Sequence, residues 1–255
     1  MLRTAKDLYG LAIHATDGDI GSVVDLYFDD ESWVVRYLVV DTGAWLPGRR
    51  VLLSPLSLLR HLESDQQSLP VALTKEQVRN SPDIDTAQPV SRKYEAEFSG
   101  YYGYPFYWGI ASPPPVLPSR EDAARTVRHA QAAAQTDAAA ESHIRSAKTI
   151  AGYHVHATDG AIGHLDDFLV DDQTWAIRYG IVDTSNWIGG TLVLVARQWV
   201  SEMRWADSEV HVDINREAIQ SAPPFDRGTP LDRGQEERLF RHYLRTGYWS
   251  GTPDT

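Results

Sequence analysis

The sequence predicts a mainly β protein with two small antiparallel domains, and three observations support this fold class. Residues 5–52 align without a gap on residues 147–194, with 23 identities in 48 positions. Each of these two repeats contains five or six short apolar runs separated by turn signals, which is typical of small antiparallel barrels. Between the repeats the composition changes to prolines followed by an Ala-rich stretch. Since the repeat is far too long for a solenoid unit, we interpret it as two copies of a whole domain.

The first repeat begins with a predicted hairpin around Asp17-Gly18, because glycine tolerates the positive φ that tight turns need. Residues 33–41 are dense in β-branched and aromatic side chains and indicate a central strand. Thr74 is expected to cap a short helix at residues 75–80. The other expected strands of this repeat are residues 11–15, 20–28, 51–53, 57–62 and 69–73.

The second repeat follows the same plan at an offset of 142, which becomes 141 after one deletion. Its expected strands are residues 153–157, 165–170, 175–183, 192–196, 198–205 and 210–214, and its expected helix is residues 216–221.

Each repeat ends in a short helix and an aromatic arm, and this organisation sets the predicted domains. The first β domain with its arm is residues 1–110, a Pro/Ala-rich linker with helical propensity is residues 111–147, and the second β domain with its arm is residues 148–255.

Composition excludes several classes of function. The chain has 255 residues and a net charge of −11, so binding to nucleic acid or to an anionic membrane surface is disfavoured. It contains no cysteine, which removes disulfides, thiolate nucleophiles and cysteine zinc sites. No apolar run of transmembrane length and no secretory signal occurs, so we expect a cytoplasmic protein.

Three segments stand out in the first repeat, and the second repeat agrees with each: the Asp17-Gly18-x-Ile20-Gly21 turn, the Asp29-Asp30 turn and the Trp33-x-x-Arg36-Tyr37-x-x-Val40-Asp41 strand. In these segments the chain resembles the PRC-barrel family, which is named for the cytoplasmic domain of the photosynthetic reaction centre H subunit. The resemblance is to the soluble bacterial type with two barrels, and it implies a PRC-barrel fold. It also implies a role in assembly and protein contacts.

Carboxylates shared by both repeats are candidate cation ligands, but most fall in predicted turns, where Asp hydrogen-bonds the backbone. We therefore favour turn structure for Asp17, Asp29, Asp30 and Asp41 and their counterparts Asp159, Asp171, Asp172 and Asp183. His14, His156 and His154 are likewise interpreted as structural, because the pattern identifies no third metal ligand.

Arg36 and Arg178 lie inside apolar strands. One interpretation is that they recognise an anion or a protein partner. The other is a structural role, either as exposed side chains or in an ion pair with an aspartate such as Asp25 or Asp41, and we favour this role. No catalytic residue, cofactor or metal is predicted.

The aromatic arms are the candidate partner-binding sites, because tyrosine and tryptophan combine a large contact area with a polar group. Packing of each arm within its own chain is the competing interpretation. The candidate residues are Tyr101, Tyr102, Tyr104, Phe106, Tyr107, Trp108, Tyr248 and Trp249.

The sequence thus predicts a non-enzymatic module that binds a protein partner or itself, including as a homo-oligomer. One alternative, implied by the resemblance, is a peripheral H-subunit-like role in photosynthetic electron transfer at the cytoplasmic membrane face. A third, ranked last, is a metal-dependent hydrolase that uses the acidic turns.

Overall fold

The structure, a computed structural model, describes residues 1–59, 68–86, 88–105, 107, 143–185 and 191–250. The chain divides into two compact units, each built from separate stretches of sequence. Unit 1 contains residues 1–9, 32–35 and 146–255, and unit 2 contains residues 10–31 and 36–145. The predicted domain boundaries stay a prediction, and residues 111–142 of the predicted linker lie outside the described residues.

The described elements are mainly strands. In chain order the strands are β1 (Leu2–Thr4), β2 (Ala12–Ala15), β3 (Gly18–Asp29), β4 (Val34–Asp41), β5 (Arg50–Leu53), β6 (Ser68–Pro70), β7 (Ile144–Ser146), β8 (His154–Ala157), β9 (Gly160–Asp171), β10 (Ile177–Asp183), β11 (Leu192–Ala196), β12 (Val200–Arg204) and β13 (Glu209–Val212). The α-helices are α1 (Ala5–Leu8), α2 (Lys75–Arg79), α3 (Arg92–Tyr102), α4 (Ala147–Ile150), α5 (Arg216–Gln220) and α6 (Arg233–His242), and short 3₁₀ turns cover Pro55–Ser57 and Arg197–Trp199.

Each unit is built on one sheet, and the two sheets follow the same plan. The order in unit 2 is β5-β4-β3-β2-β6 with β7 added on β3, and the order in unit 1 is β11-β10-β9-β8-β13-β12 with β1 added on β9. The mainly β fold is confirmed. In each sheet one pair, β2 with β6 and β8 with β13, runs parallel, whereas the sequence predicted antiparallel pairing throughout.

The predicted Asp-Gly hairpin is confirmed as the antiparallel pair β2–β3. Gly21 is the last glycine of the Asp17-Gly18-x-Ile20-Gly21 motif and lies in β3. It has φ +154° and packs closely against the end of β4. A Cβ at Gly21 would overlap the carbonyl oxygen of Asp41, and a Cβ at Gly163 would overlap that of Asp183. Only glycine therefore fits at this position of either repeat.

The strand expected to start at Trp33 starts instead at Val34, because Trp33 has a positive φ of 56°. Trp175 has the same conformation, with φ 59°. Such a backbone is uncommon for a bulky residue. In unit 1 the two tryptophans take part in reciprocal pairing, since Val35 N donates to Trp175 O at 2.8 Å and Ile177 N donates to Trp33 O at 2.7 Å.

Strand β4 is buried on both faces, which accounts for its unbroken apolar sequence. Leu38 and Val40 are fully buried on one face. The other face carries a core cluster in which α3 and β7 join β3, β4 and β5; its buried members are Tyr27, Tyr37, Val39, Leu52, Val90, Phe98 and Ile144.

Candidate functional site

The described part of the first arm comprises Tyr101 and Tyr102 at the end of α3 and residues 103–105 and 107, which follow the helix and fold back on it. Ser91 starts the helix by accepting a hydrogen bond from Tyr94 N at 3.2 Å, and Gly103, with φ 72°, ends it in the left-handed conformation. Tyr104 N then donates to Ser99 O at 2.9 Å. The left-handed residue at the end of the helix thus reverses the chain, so that the arm folds back on α3.

Beneath this arm lies a buried carboxylate, Glu95, which is 1% exposed. It accepts hydrogen bonds from the Tyr37 hydroxyl at 3.3 Å and the Tyr107 hydroxyl at 2.5 Å. Arg92 donates to its other oxygen at 2.9 Å and to the Tyr107 hydroxyl at 3.2 Å. A buried charge with a cation and two hydroxyl donors is well satisfied, so the network ties the arm to α3 and β4.

The second repeat contains the same network around Glu236, which is 3% exposed. Tyr179 and Tyr248 donate to Glu236 Oε1 at 2.7 and 2.9 Å. Arg233 lies 3.0 Å from the other carboxylate oxygen. The residue types and their roles match those of the first repeat one for one.

Burial raises the pKa of the Glu95 carboxyl to about 7, although the hydrogen bonds from its tyrosines and the charge of Arg92 act in the opposite direction. Burial, and then the nearby Glu95 carboxylate, raises the pKa of both the Tyr37 and the Tyr107 hydroxyl. In the second repeat, burial and the hydrogen bond to Glu236 raise the pKa of Tyr248 to about 12. The tyrosines therefore stay protonated and act as donors.

The two strand arginines support the arms. The guanidinium carbon of Arg36 lies 3.7 Å from the centroid of the Tyr107 ring, and that of Arg178 lies 4.4 Å from the Tyr248 ring. Arg178 also forms an ion pair with Asp171 at 3.1 Å. The favoured structural role of these arginines thus has a specific form, a cation–π contact with the arm.

The candidate partner-binding residues of the first arm fall into two groups. Tyr107 belongs to the network of Glu95, whereas Tyr101 is 42% exposed and its hydroxyl donates to Gln77 O at 2.8 Å. Tyr102 and Tyr104 are half-buried and stack on each other with centroids 5.5 Å apart. Phe106 and Trp108 lie outside the described residues.

In the second arm, Tyr248 belongs to the network and Trp249 is half-buried. The Trp249 ring lies edge-on to Phe240 at 5.0 Å, and the guanidinium of Arg233 lies 4.2 Å from its centroid. Both residues are thus held by their own repeat.

The shared carboxylates serve turns and helix ends. Asp17 accepts from Lys75 N at 2.7 Å and Asp159 accepts from Arg216 N at 2.8 Å, so each joins its hairpin to the start of a short helix. Asp41 accepts from Gly43 N at 2.8 Å in a local turn. Asp183 does the same with Ser185 N at 2.7 Å.

The other members of this set pair with arginines or lie in the core. Asp30 pairs with Arg145 at 2.7 Å, and Asp172 pairs with Arg3 at 3.2 Å. Asp29 is buried, and Asp171 accepts from Gln173 N at 3.0 Å.

The histidines pair with carboxylates. His14 contacts Asp19, and His156 lies 3.3 Å from Glu209 and stacks on His211 with centroids 5.0 Å apart. His154 is exposed on the same strand as His156. Within the described ranges, no group of three or more His, Asp or Glu side chains is arranged to hold a metal ion.

Glu95 and Glu236 were not predicted from the sequence, because a glutamate in a polar segment is normally expected to be exposed to solvent. The repeat itself carried the signal. At the offset of 141, Arg92, Glu95 and Tyr107 fall on Arg233, Glu236 and Tyr248, although few of their neighbours match.

These features define a class, a small β domain with a helix and an arm packed on the outer face of its sheet. Residues 2–77 match the model of the PRC-barrel domain, as the three resembling segments predicted. The matched residues run from β1 into α2, so α3 and both arms lie beyond them. No curated protein matches the chain.

Among the residues that the structure describes, no helix is both long enough and apolar enough to cross a bilayer.

Proposed function

We propose that this protein is a non-enzymatic interaction module whose partner-binding surface is the outer side of the first arm, formed by Tyr101, Tyr102 and Tyr104. PRC-barrel domains are generally non-catalytic and commonly act as interaction modules, which supports the general assignment. A location in the cytoplasm belongs to the same proposal.

The observation that carries this proposal is a difference between the arms. Both arms are held by the same buried network, but Tyr101 and Tyr104 of the first repeat correspond to His242 and Arg245 of the second. The second arm is therefore held without tyrosines at these two positions. Exposed and half-buried tyrosines at positions where the second repeat folds without them are typical of protein interfaces, where aromatic side chains are enriched.

The test gives the first arm the outer residues of the second. The double variant Tyr101→His with Tyr104→Arg keeps Glu95, Arg92 and Tyr107, so the arm should stay folded. Loss of the Tyr104 ring from Phe98 and Tyr102 should lower the melting temperature, and thermal unfolding measures that change separately from binding. We expect capture of a protein partner from the native host, or self-association of the folded chain without prior unfolding, to fall about tenfold or more, as for loss of interface anchors.

The matched control is Arg245→Ala in the second arm, where the same position pairs with Asp213 at 3.0 Å. It should leave capture and self-association unchanged. A folded Tyr101→His/Tyr104→Arg variant that binds the same partners as the wild type would contradict the proposal.

A further inference from the structure

The sheet of each unit is completed by a strand from the other repeat. In unit 1, one edge of β9 pairs with β10. On its other edge, residues 160–164 pair with β8 and residues 169–171 pair with β1. The register of this last pair is Leu2 with Asp171, Arg3 with Val170 and Thr4 with Leu169. In unit 2, β7 lies on β3 in the corresponding way.

An arginine–aspartate ion pair is present at each of the two strands, β1 and β7, that complete the sheet of the other repeat. Arg3 Nε lies 3.2 Å from Asp172 Oδ2, and Asp172 N donates to Met1 O at 3.0 Å. Arg145 Nε lies 2.7 Å from Asp30 Oδ2, and Asp30 N donates to His143 O at 2.8 Å.

The exchanged segments also supply core residues. Ala5 and Leu8 are each 1% exposed in unit 1. Trp33, which also belongs to unit 1, packs edge-on against Phe168 at 6.3 Å. Unit 1 without residues 1–9 and 32–35 would lose an edge strand and three buried apolar side chains, those of Ala5, Leu8 and Trp33.

The two segments that supply β1 and β7 have nearly the same sequence. Residues 2–6 read Leu-Arg-Thr-Ala-Lys and residues 144–148 read Ile-Arg-Ser-Ala-Lys, and each meets an aspartate at the same position of the accepting strand. A strand edge that accepts one such segment accepts the same segment from another molecule equally well, which is the basis of domain swapping.

We propose that residues 1–107 and 143–250 are each other's binding partners, and that the complementing half can come from a second copy of this chain. Two chains then form a dimer in which the first half of each molecule completes the second half of the other. The contacts within each unit are the same in the single chain and in the dimer, so the choice between them depends on chain concentration during folding. This inference does not rest on the tyrosine surface of the first arm.

Two charge-reversed chains test the exchange. One chain carries Arg3→Glu and the other carries Asp172→Arg, so each has a mismatched pair within itself, Glu with Asp or Arg with Arg. In the mixed dimer both pairs are matched, one native and one reversed. We expect an equimolar mixture, unfolded and refolded together, to give a species of twice the 28.6 kDa chain mass that contains one chain of each type. Either variant refolded alone should give at least about tenfold less dimer, a difference of about 1.4 kcal/mol.

The control is a single chain with both Arg3→Glu and Asp172→Arg, which should refold as a monomer. Because Asp172 is buried, the same design is repeated with Arg145→Glu and Asp30→Arg, whose side chains are 25% and 9% exposed. Mixtures that contain no more mixed dimer than each variant forms alone, in both designs, would overturn the proposal. The Tyr101→His/Tyr104→Arg variant should exchange like the wild type, so a failure of the proposed function is distinguishable from a failure here.

Discussion

Beneath each arm lies a glutamate with two tyrosine donors and one arginine, whereas the outer side chains of the two arms differ. Tyr37, Glu95 and Tyr107 in the first repeat have Tyr179, Glu236 and Tyr248 as counterparts. On the outside, Tyr104 of the first repeat corresponds to Arg245. Both repeats share the inner network, whereas of the three outer tyrosines only Tyr102 has a tyrosine, Tyr243, as its counterpart. The predictions below test this division, from the largest expected effect to the smallest.

The most damaging change should be at the glycine that both repeats place against a strand end. Gly21→Ala and Gly163→Ala each force a Cβ onto a backbone carbonyl at φ +154° and +148°, and we expect each to lower the free energy of unfolding by about 3 kcal/mol or more. Gly43→Ala is the matched control, since φ is +55° and nothing lies within 4 Å of its added Cβ; its cost should be about 1 kcal/mol. Denaturant unfolding measures all three. Equal costs for Gly21→Ala and Gly43→Ala would show that the close approach to Asp41 is not required.

The next effect is a pH dependence from Glu95. Its pKa rises from the ordinary 4.5 to about 7 on folding, so the folded state binds this proton more tightly than the unfolded state does. The resulting contribution to stability is fully present below pH 4.5 and is lost as the pH rises through about 7. Wild-type stability should therefore fall, relative to Glu95→Gln, by up to about 3 kcal/mol between pH 4.5 and a pH well above 7.

Chemical denaturation across that pH range measures the slope. Glu97→Gln, on the same helix but with a side chain 51% exposed, is the control and should follow the wild type at every pH. Parallel curves for the wild type and Glu95→Gln would refute the raised pKa.

The smallest effect concerns a difference between the two cores. Leu38 is fully buried in β4, whereas its counterpart in β10 is Gly180, beside a small apolar cavity whose lining includes Trp33, Leu165 and Phe168. A Cβ on Gly180 would lie 2.8 Å from Leu165 Cδ1, the mobile end of a side chain that has the cavity to move into. Gly180→Ala should therefore raise the free energy of unfolding by about 0.5–1 kcal/mol.

Leu38→Ala is the opposite change in the other repeat and should cost about 3 kcal/mol. Thermal and denaturant unfolding of both variants give the comparison. A loss of stability in Gly180→Ala would mean that Leu165 is fixed and that the glycine is required for packing.

Local features of the fold were predictable from sequence because they depend on neighbouring residues. The Asp17-Gly18 hairpin and the Thr74 cap are of this kind, and both are present. The parallel pairing of β2 with β6 was not predictable, since residues 68–70 are distant in sequence and carry no alternating pattern that specifies a neighbour.

The exchange of β1 and β7 was hidden for a different reason. Both segments have the same sequence character, so pairing within a repeat and pairing between repeats satisfy the same contacts. The arm residues were found by their aromatic composition. Their division into inner and outer groups required the position of Glu95, which composition does not show.

Because each repeat supplies a strand to the sheet of the other, joining the repeats in one polypeptide affects the stability of both. If the halves were separate polypeptides, they would dissociate on dilution, and the exposed edges of β3 and β9 could then aggregate. Joined in one chain, each half meets its complement at an effective concentration that does not fall with the amount of protein in the cell. The single chain also fixes the ratio of the two halves at one to one, which leaves each free to acquire its own surface.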